Sequence, residues 1–489
     1  PSCPASSIGW RCFEREAACL ATPHQQLLWI SDEIRSELLL QSSSRPEFVD
    51  DFRASRGDVL QLGRSYANLT STAKAVRRPP LSIDDFNAEI EKCHFESPSD
   101  REKFAKPQYA QAFHACVTDA AEHEFANMGF STEDMVKFLQ MLEANVEQLK
   151  VLRLPGNSRH EVSLNDLVAL ATRKSRGFQE LACAGNLRMG GTVMSIVALG
   201  RTLRVLNLSK TQVTGNLQDL YGATLLSELN LSAAQVEGDI RHLSALPKLS
   251  KLDLHTSKVS GDIVVLSGLG HLEEVYLHWT AVSGDVSGLG TSRRLMKVYL
   301  NDTRVVGTLQ GVSQLPSLQE VDLSSTQVGG DVAHLGSLRG LTKLRLWWTQ
   351  VYGDVGWFAA HTELRELDLF KTQVQGDIGY LKMLRKLTKL DLDLTNVGGN
   401  VVSLVTLKSL RTLSLQSTEV VGDVEDIATL PELTELDVRF TQVGGDATSL
   451  MCLKNLQLAG LSDTQVVGDR RGLERYVQRN QNRMRGRFW

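Results

Sequence analysis

The stretch "LWWTQVYGD", Leu346 to Asp354, decides how this chain is read. Two adjacent tryptophans, Trp347 and Trp348, stand between a leucine and a valine, so either they fill a core or they are displayed to a partner. The chain itself supplies the comparison. "LSSTQVGGD" occupies 323 to 331, 23 residues earlier, and "LFKTQVQGD" occupies 369 to 377, 23 residues later. Leucines recur at that spacing at Leu203, Leu226, Leu249, Leu272, Leu295, Leu318, Leu341, Leu364, Leu387, Leu410, Leu433 and Leu456, twelve units without an insertion. Each unit approximates L-x-x-L-x-L-x-x-T-x-V-x-G-D-V-x-x-L-x-x-L. Its valine column, Val213 to Val466, and its glycine column, Gly215 to Gly468, are unbroken.

The L-x-x-L-x-L part alternates as a half-buried strand, and the G-D-V segment turns the chain before L-x-x-L returns along the outer side. One unit cannot bury its leucines alone, so neighbouring units must supply the missing walls. Looser units at "LKVLRL", 149 to 154, and "FQELAC", 178 to 183, precede the regular array. The array resembles leucine-rich repeats, and its V-x-G-x-[IV] half resembles their plant-type subclass. The resemblance covers residues 146 to 476, irregular over 146–202 and regular over 203–476. It implies an α/β-type repeat solenoid, a horseshoe or arc with a parallel concave sheet of about 14 strands. Two departures stand out: Thr211, Thr280, Thr303 and most of their equivalents replace the family's asparagine, and the proline usual after the I/V position is missing.

A threonine hydroxyl in that column is expected to bond the backbone of the next turn, as the asparagine ladder does. The aspartate after the glycine, in nine units from Asp239 to Asp469, is expected to cap the turn that follows. A stacked carboxylate column also suggests calcium, but the G-G-x-G-x-D spacing of calcium-binding rolls is lacking. No metal or cofactor is expected.

Residues 23 apart become lateral neighbours ~4.8 Å from one another on a parallel sheet. One column then reads Glu228, Lys251, Glu274, Lys297, Glu320, Lys343, Glu366, Lys389, which is a self-satisfied ladder rather than a docking site. The outward columns gather Tyr276, His278, Trp279, Tyr299, Asp322, Arg345, Trp347, Trp348, Asp368 and Phe370 on one face. Aromatics rimmed by Asp and Arg have the composition of a protein-binding hot spot. The alternative is that they pack on one another or against the N-terminal region as a local lid.

Residues 1 to 145 carry none of the repeat and read as a helical N-terminal region and solenoid cap. His24 to Leu40 has helical periodicity, "SIDDFNAEI" at 82 to 90 begins with a good cap, and "STEDMVKFLQMLEANVEQL" starts at a Ser131/Asp134 capping box. That third helix is expected to cover the open end of the solenoid. Cys93, His94, His114 and Cys116 fit no standard zinc spacing and read as ordinary helix residues. Seven cysteines without a repeated spacing imply no disulfide framework, one bridge among Cys3, Cys12 and Cys19 remaining open. Asn68-Leu69-Thr70 is a glycosylation sequon only in a secreted chain.

The basic C-terminal tail, 477–489, includes Arg479, Arg483, Arg485 and Arg487. It reads as a polar cap continued by an arm for an acidic partner, with RNA as the second possibility. A net charge of -4 over 489 residues argues against a general nucleic-acid or membrane-surface binder. No apolar run is long enough to span a bilayer, and the first thirty residues lack a signal-peptide core. The chain begins at Pro1, and an intracellular or organellar location, with any targeting segment already removed, is the expectation. Nucleophile elbow, zincin, phosphate-loop, dinucleotide and kinase motifs are lacking, so no enzyme is expected. The reading is a non-catalytic scaffold or adaptor that binds protein through the concave face as a subunit of a larger assembly. The competing class is a receptor-like ectodomain for peptide or glycan.

Overall fold

The computed structural model describes residues 81–92, 102 and 106–485. The helix expected over His24 to Leu40, and Asn68, Cys3, Cys12, Cys19, Cys93, His94 and Arg487, lie outside them. The chain divides at Thr214 into two compact units.

In the first unit, Ser82 accepts from the Asp85 amide and starts the helix Ile83–Glu91, whose buried Phe86 stacks on Tyr109 of the helix Lys106–Phe113 at 3.7 Å. Four short parallel strands follow, Glu122–Glu124, Val151–Arg153, Glu180–Ala182 and Val205–Asn207. The first lies inside the stretch expected to be helical. It was hidden because its core position is filled by His123 rather than leucine: His123 pairs with Leu152 and is 1% exposed.

The Ser131/Asp134 capping box forms as expected and opens the helix Thr132–Asn145. That helix is not an end cap. It follows the first strand as Leu164–Lys174 follows the second, and the two are joined by the Arg173–Glu143 ion pair at 2.7 Å. Both are return segments of coils. In the strand-to-helix turns the family's asparagine does occur, at Asn157 and Asn186. Asn157 accepts from the Met128 amide at 2.8 Å and donates to the Phe125 carbonyl at 2.7 Å, linking neighbouring coils.

The second unit repeats one coil. Between 341 and 363, Leu341, Leu344, Leu346, Val351, Val355, Phe358 and His361 are fully buried or nearly so. Strand Lys343–Arg345 pairs in parallel with Glu366–Asp368 at an offset of 23 residues. Eleven such strands, Glu228–Asn230 to Leu458–Gly460, form the leucine sheet. Burying one leucine is worth ~1.5–3 kcal/mol, so the column is the main stabilising element.

Residues x-V-x-G-D do more than turn. They form a second parallel sheet, Gln235–Asp239 to Gln442–Gly444 in this unit, and its partners are offset by 21 residues, as in Gly329 with Gln350. The bonds are between coils, so the local pattern does not announce them. The threonine column is likewise different from expectation: Thr349 Oγ1 donates at 2.5 Å to the Leu346 carbonyl of its own coil, and Thr280, Thr303 and Thr372 repeat the bond. A hydroxyl is too short to span two coils as Asn157 does.

Eight of the nine aspartates cap as expected, and Asp423 is the exception, making no side-chain cap bond. Asp354 Oδ1 accepts from the Gly356 amide at 2.7 Å and starts the short turn Val355–Ala360. The same carboxylate explains the glycine of the next coil: Gly376 has φ +104°, and a Cβ there would sit 2.4 Å from Asp354 Oδ1. The unit closes with the helix Arg470–Arg485, which begins before the expected tail at 477 and buries Leu473 and Val477.

Candidate functional site

The solvent face of the leucine sheet is built by two columns per strand end. The residue after the strand's last leucine points outward, and the next one has a left-handed backbone. Ala233, Thr256, Trp279, Asp302, Ser325, Trp348, Lys371, Leu394, Ser417, Phe440 and Asp463 all have φ between 51° and 57°. In all of these but Asp463 of the last coil, the conformation hands the amide to a carbonyl of the following coil, as from Trp348 to Phe370 at 2.9 Å. For an L-residue it costs ~1–2 kcal/mol, and bulky side chains occupy it rarely. Trp279 is 58% exposed, Trp348 57% and Phe440 53%. Folding alone favours Gly or Asn at these places.

Four of the expected residues come together around Trp279. Tyr276 and Tyr299 stack at 5.0 Å, and His278 meets the Trp279 ring at 5.2 Å and stacks on His255 at 4.4 Å. The Trp279 indole donates to Asp302 at 2.9 Å. Tyr299 donates to Glu320 and Tyr276 to Glu274, so both phenols are held and half-buried. Burial first, and then the charge of His255, push the His278 imidazole down to about 4, which leaves it neutral at physiological pH.

A second group surrounds Trp348, three coils and hence ~14 Å further along. Lys371 Nζ lies 4.4 Å from the centre of the Trp348 ring. Trp347 and Phe370 project from the same face and are half-buried. Arg345 forks onto Glu366 at 2.7 and 3.1 Å and reaches Asp322 at 3.4 Å. Asp322 and Asp368, read from the sequence as displayed, are instead 3% and 5% exposed. Asp322 accepts from the Ser324 amide, and Asp368 holds Lys389 at 2.6 Å. Neighbouring side chains close over both because their own coils need the bonds.

The charge ladder forms as read: Lys297 lies between Glu274 at 3.5 Å and Glu320 at 3.9 Å, and Lys343 between Glu320 and Glu366 at 3.8 Å each. Leu394 and Phe440 stand in the same outward column as Trp348, beyond the expected patch, and they are 42% and 53% exposed. Asp391 follows Asp368 in the strand column, and its carboxyl is pushed up to about 7 by burial and then by Asp368 and Asp393. Arg479 and Arg483 are exposed on the C-terminal helix, and Arg485 is its last residue.

No protein-family model matches the sequence, and no curated protein matches it. Solved structures do resemble it. The Arabidopsis receptor kinase HAESA, in complex with the peptide hormone IDA and a co-receptor, is 22% identical with a TM-score of 0.54, covering 66% of this chain and 63% of its own. A plant peptide hormone receptor bound to its peptide is 19% identical at TM-score 0.52, covering 66% and 64%. A leucine-rich-repeat protein of Leptospira interrogans is 18% identical at TM-score 0.52, covering 76% of this chain and 97% of its own. The chain thus spans under two thirds of the length of the two plant receptors. At these identities the likeness establishes the fold, a leucine-rich-repeat solenoid. No described helix is long and apolar enough to cross a membrane.

Proposed function

We propose that the chain is a non-catalytic interaction scaffold that holds a protein partner on the solvent face of its leucine sheet, with Trp279, Trp348 and Phe440 as anchors. The observation that carries the reading is the placing of these three large aromatics at strained, left-handed positions where more than half of each remains in water. Seven coils separate Trp279 from Phe440, ~34 Å of sheet, the scale of a standard protein interface. Tryptophan anchors with Arg345 on the same face match the make-up of interface hot spots. The plant receptors of the same fold are solved with peptide hormones bound, which supports an extended protein segment as the occupant.

The test is a quantitative pull-down from the native source with the wild-type chain and with Trp279→Gly/Trp348→Gly. Partners enriched by the wild type and lost from the variant, while its circular dichroism and melting are unchanged, are the expected result. Identical partner recovery by a folded variant would overturn the reading.

A further inference from the structure

The C-terminal helix Arg470–Arg485 has two unlike faces. The inner one is fully employed: Leu473 and Val477 are buried, and Tyr476, Asn480 and Gln481 donate to the carbonyls of Leu453, Leu456 and Gln457 at 3.4, 3.0 and 2.6 Å. These bonds satisfy the open edge of the last coil, so packing explains that side. The outer face carries Arg471, Arg475, Arg479 and Arg483, all exposed and each four residues from the next. On a helix that spacing is a ridge with ~6 Å of rise and ~40° of rotation per step.

Folding does not reward this ridge. Like charges four apart on a helix destabilise it by ~0.2–0.5 kcal/mol per pair. Elsewhere in the unit Lys297, Lys343 and Lys389 are each set beside carboxylates, yet none of the four arginines forms an ion pair among the described residues. The helix's sole acidic residue is Glu474, and no lysine occurs after Lys454. A helix needing only solubility would tolerate lysine. Guanidinium is the group that grips phosphate with two parallel hydrogen bonds. Exposed Gln478 and Asn482 lie between the arginines and offer amide donors and acceptors to sugars and bases.

We infer that this ridge docks the phosphodiester backbone of a single-stranded polynucleotide, one guanidinium to each successive phosphate. A single strand presents one phosphodiester per nucleotide at a regular spacing, which suits a regular row of guanidinium forks on one helix. The ridge is separate from the aromatic face and adds a second class of partner to the chain.

Fluorescence anisotropy of the full chain with labelled oligouridylate and oligothymidylate tests this. Four phosphate contacts give a slope of log affinity against log salt of about -3, roughly a 50-fold loss between 50 and 200 mM salt. Arg475→Gln/Arg479→Gln/Arg483→Gln should bring the slope to about -0.7 and weaken binding at 50 mM salt by more than about tenfold. Glutamine is a good helix former, and an unchanged melting curve confirms the fold. Should that variant melt early, the corresponding triple Arg→Lys variant retains charge, and it should keep the steep slope while binding more weakly than the wild type. Tighter binding of one oligonucleotide than the other identifies the source as RNA or DNA. No binding at 50 mM salt, a triple Gln variant that binds as the wild type does, or equal affinity for polyglutamate or phosphatidylserine vesicles would each overturn the inference.

Discussion

Replacing Trp348 by glycine separates a displayed side chain from a structural one. The backbone at 348 has φ +55°, so glycine relieves ~1–2 kcal/mol of left-handed strain. Against that stand the greater chain freedom of glycine when unfolded, ~0.5–1 kcal/mol, and the loss of the Lys371 ammonium from the indole face, ~0.5–1 kcal/mol at an exposed site. The terms nearly cancel, and stability should change by less than ~1 kcal/mol. A tryptophan holding a core would cost ~3–5 kcal/mol on truncation, and Leu346→Ala, two residues earlier and wholly buried, should cost ~2–5 kcal/mol. Urea unfolding followed by circular dichroism at 222 nm reads both variants without relying on tryptophan emission. A loss above ~3 kcal/mol for Trp348→Gly would refute the reasoning, because it would mean that the ring is packed and its exposure misleading.

The other expectations concern different parts of the coil. His123 and His160 are each 1% exposed and held at about 4 by burial, below the ordinary 6.5. Since the unfolded chain binds those protons first, stability is full above pH 6.5 and falls as pH drops toward 4, by ~2 kcal/mol per histidine at pH 5. Melting between pH 7 and 5 should show this, and His160→Met, which installs the residue found at Met189 in the next coil, should remove about half of what these two histidines contribute. A pH-independent first unit would contradict it. Gly376→Ala must bring a Cβ against the Asp354 carboxylate and force φ +104° on alanine, costing at least ~1 kcal/mol; pairing it with Asp354→Ala should recover only the steric part in a double-mutant cycle. Thr349→Val removes a hydroxyl bonded to its own coil and should cost ~1 kcal/mol in the same unfolding assay, with no added loss of coil pairing by hydrogen exchange.

Periodicity made the leucine sheet, its register, the capping aspartates and the Glu/Lys ladder legible, since each is written once per coil in residue types that can do little else. It did not disclose the second sheet. The Q-V-x-G-D strands are only five residues long, and their bonds run to a coil 21 residues away, so the local pattern looks like a turn. Nor did it disclose the first strand, where His123 stands for leucine, or the asparagine links at Asn157 and Asn186, which fall where the spacing stretches. Within the candidate site the aromatics were found because columns place side chains on faces. The burial of Asp322 and Asp368 was not, because it follows from how Arg345 and Lys389 lie across neighbouring coils.

The Glu/Lys ladder has a further meaning for how such a chain can grow or shrink. Its sign alternates from coil to coil, so the array has a parity: the smallest piece that can be removed or duplicated without a mismatch is two coils, not one. Excising the coil that carries Lys343 would set Glu320 directly beside Glu366, turning two attractive contacts into one repulsion of ~0.2–1 kcal/mol. Leucines, glycines and caps would all accept the shorter chain. Only the charges keep count.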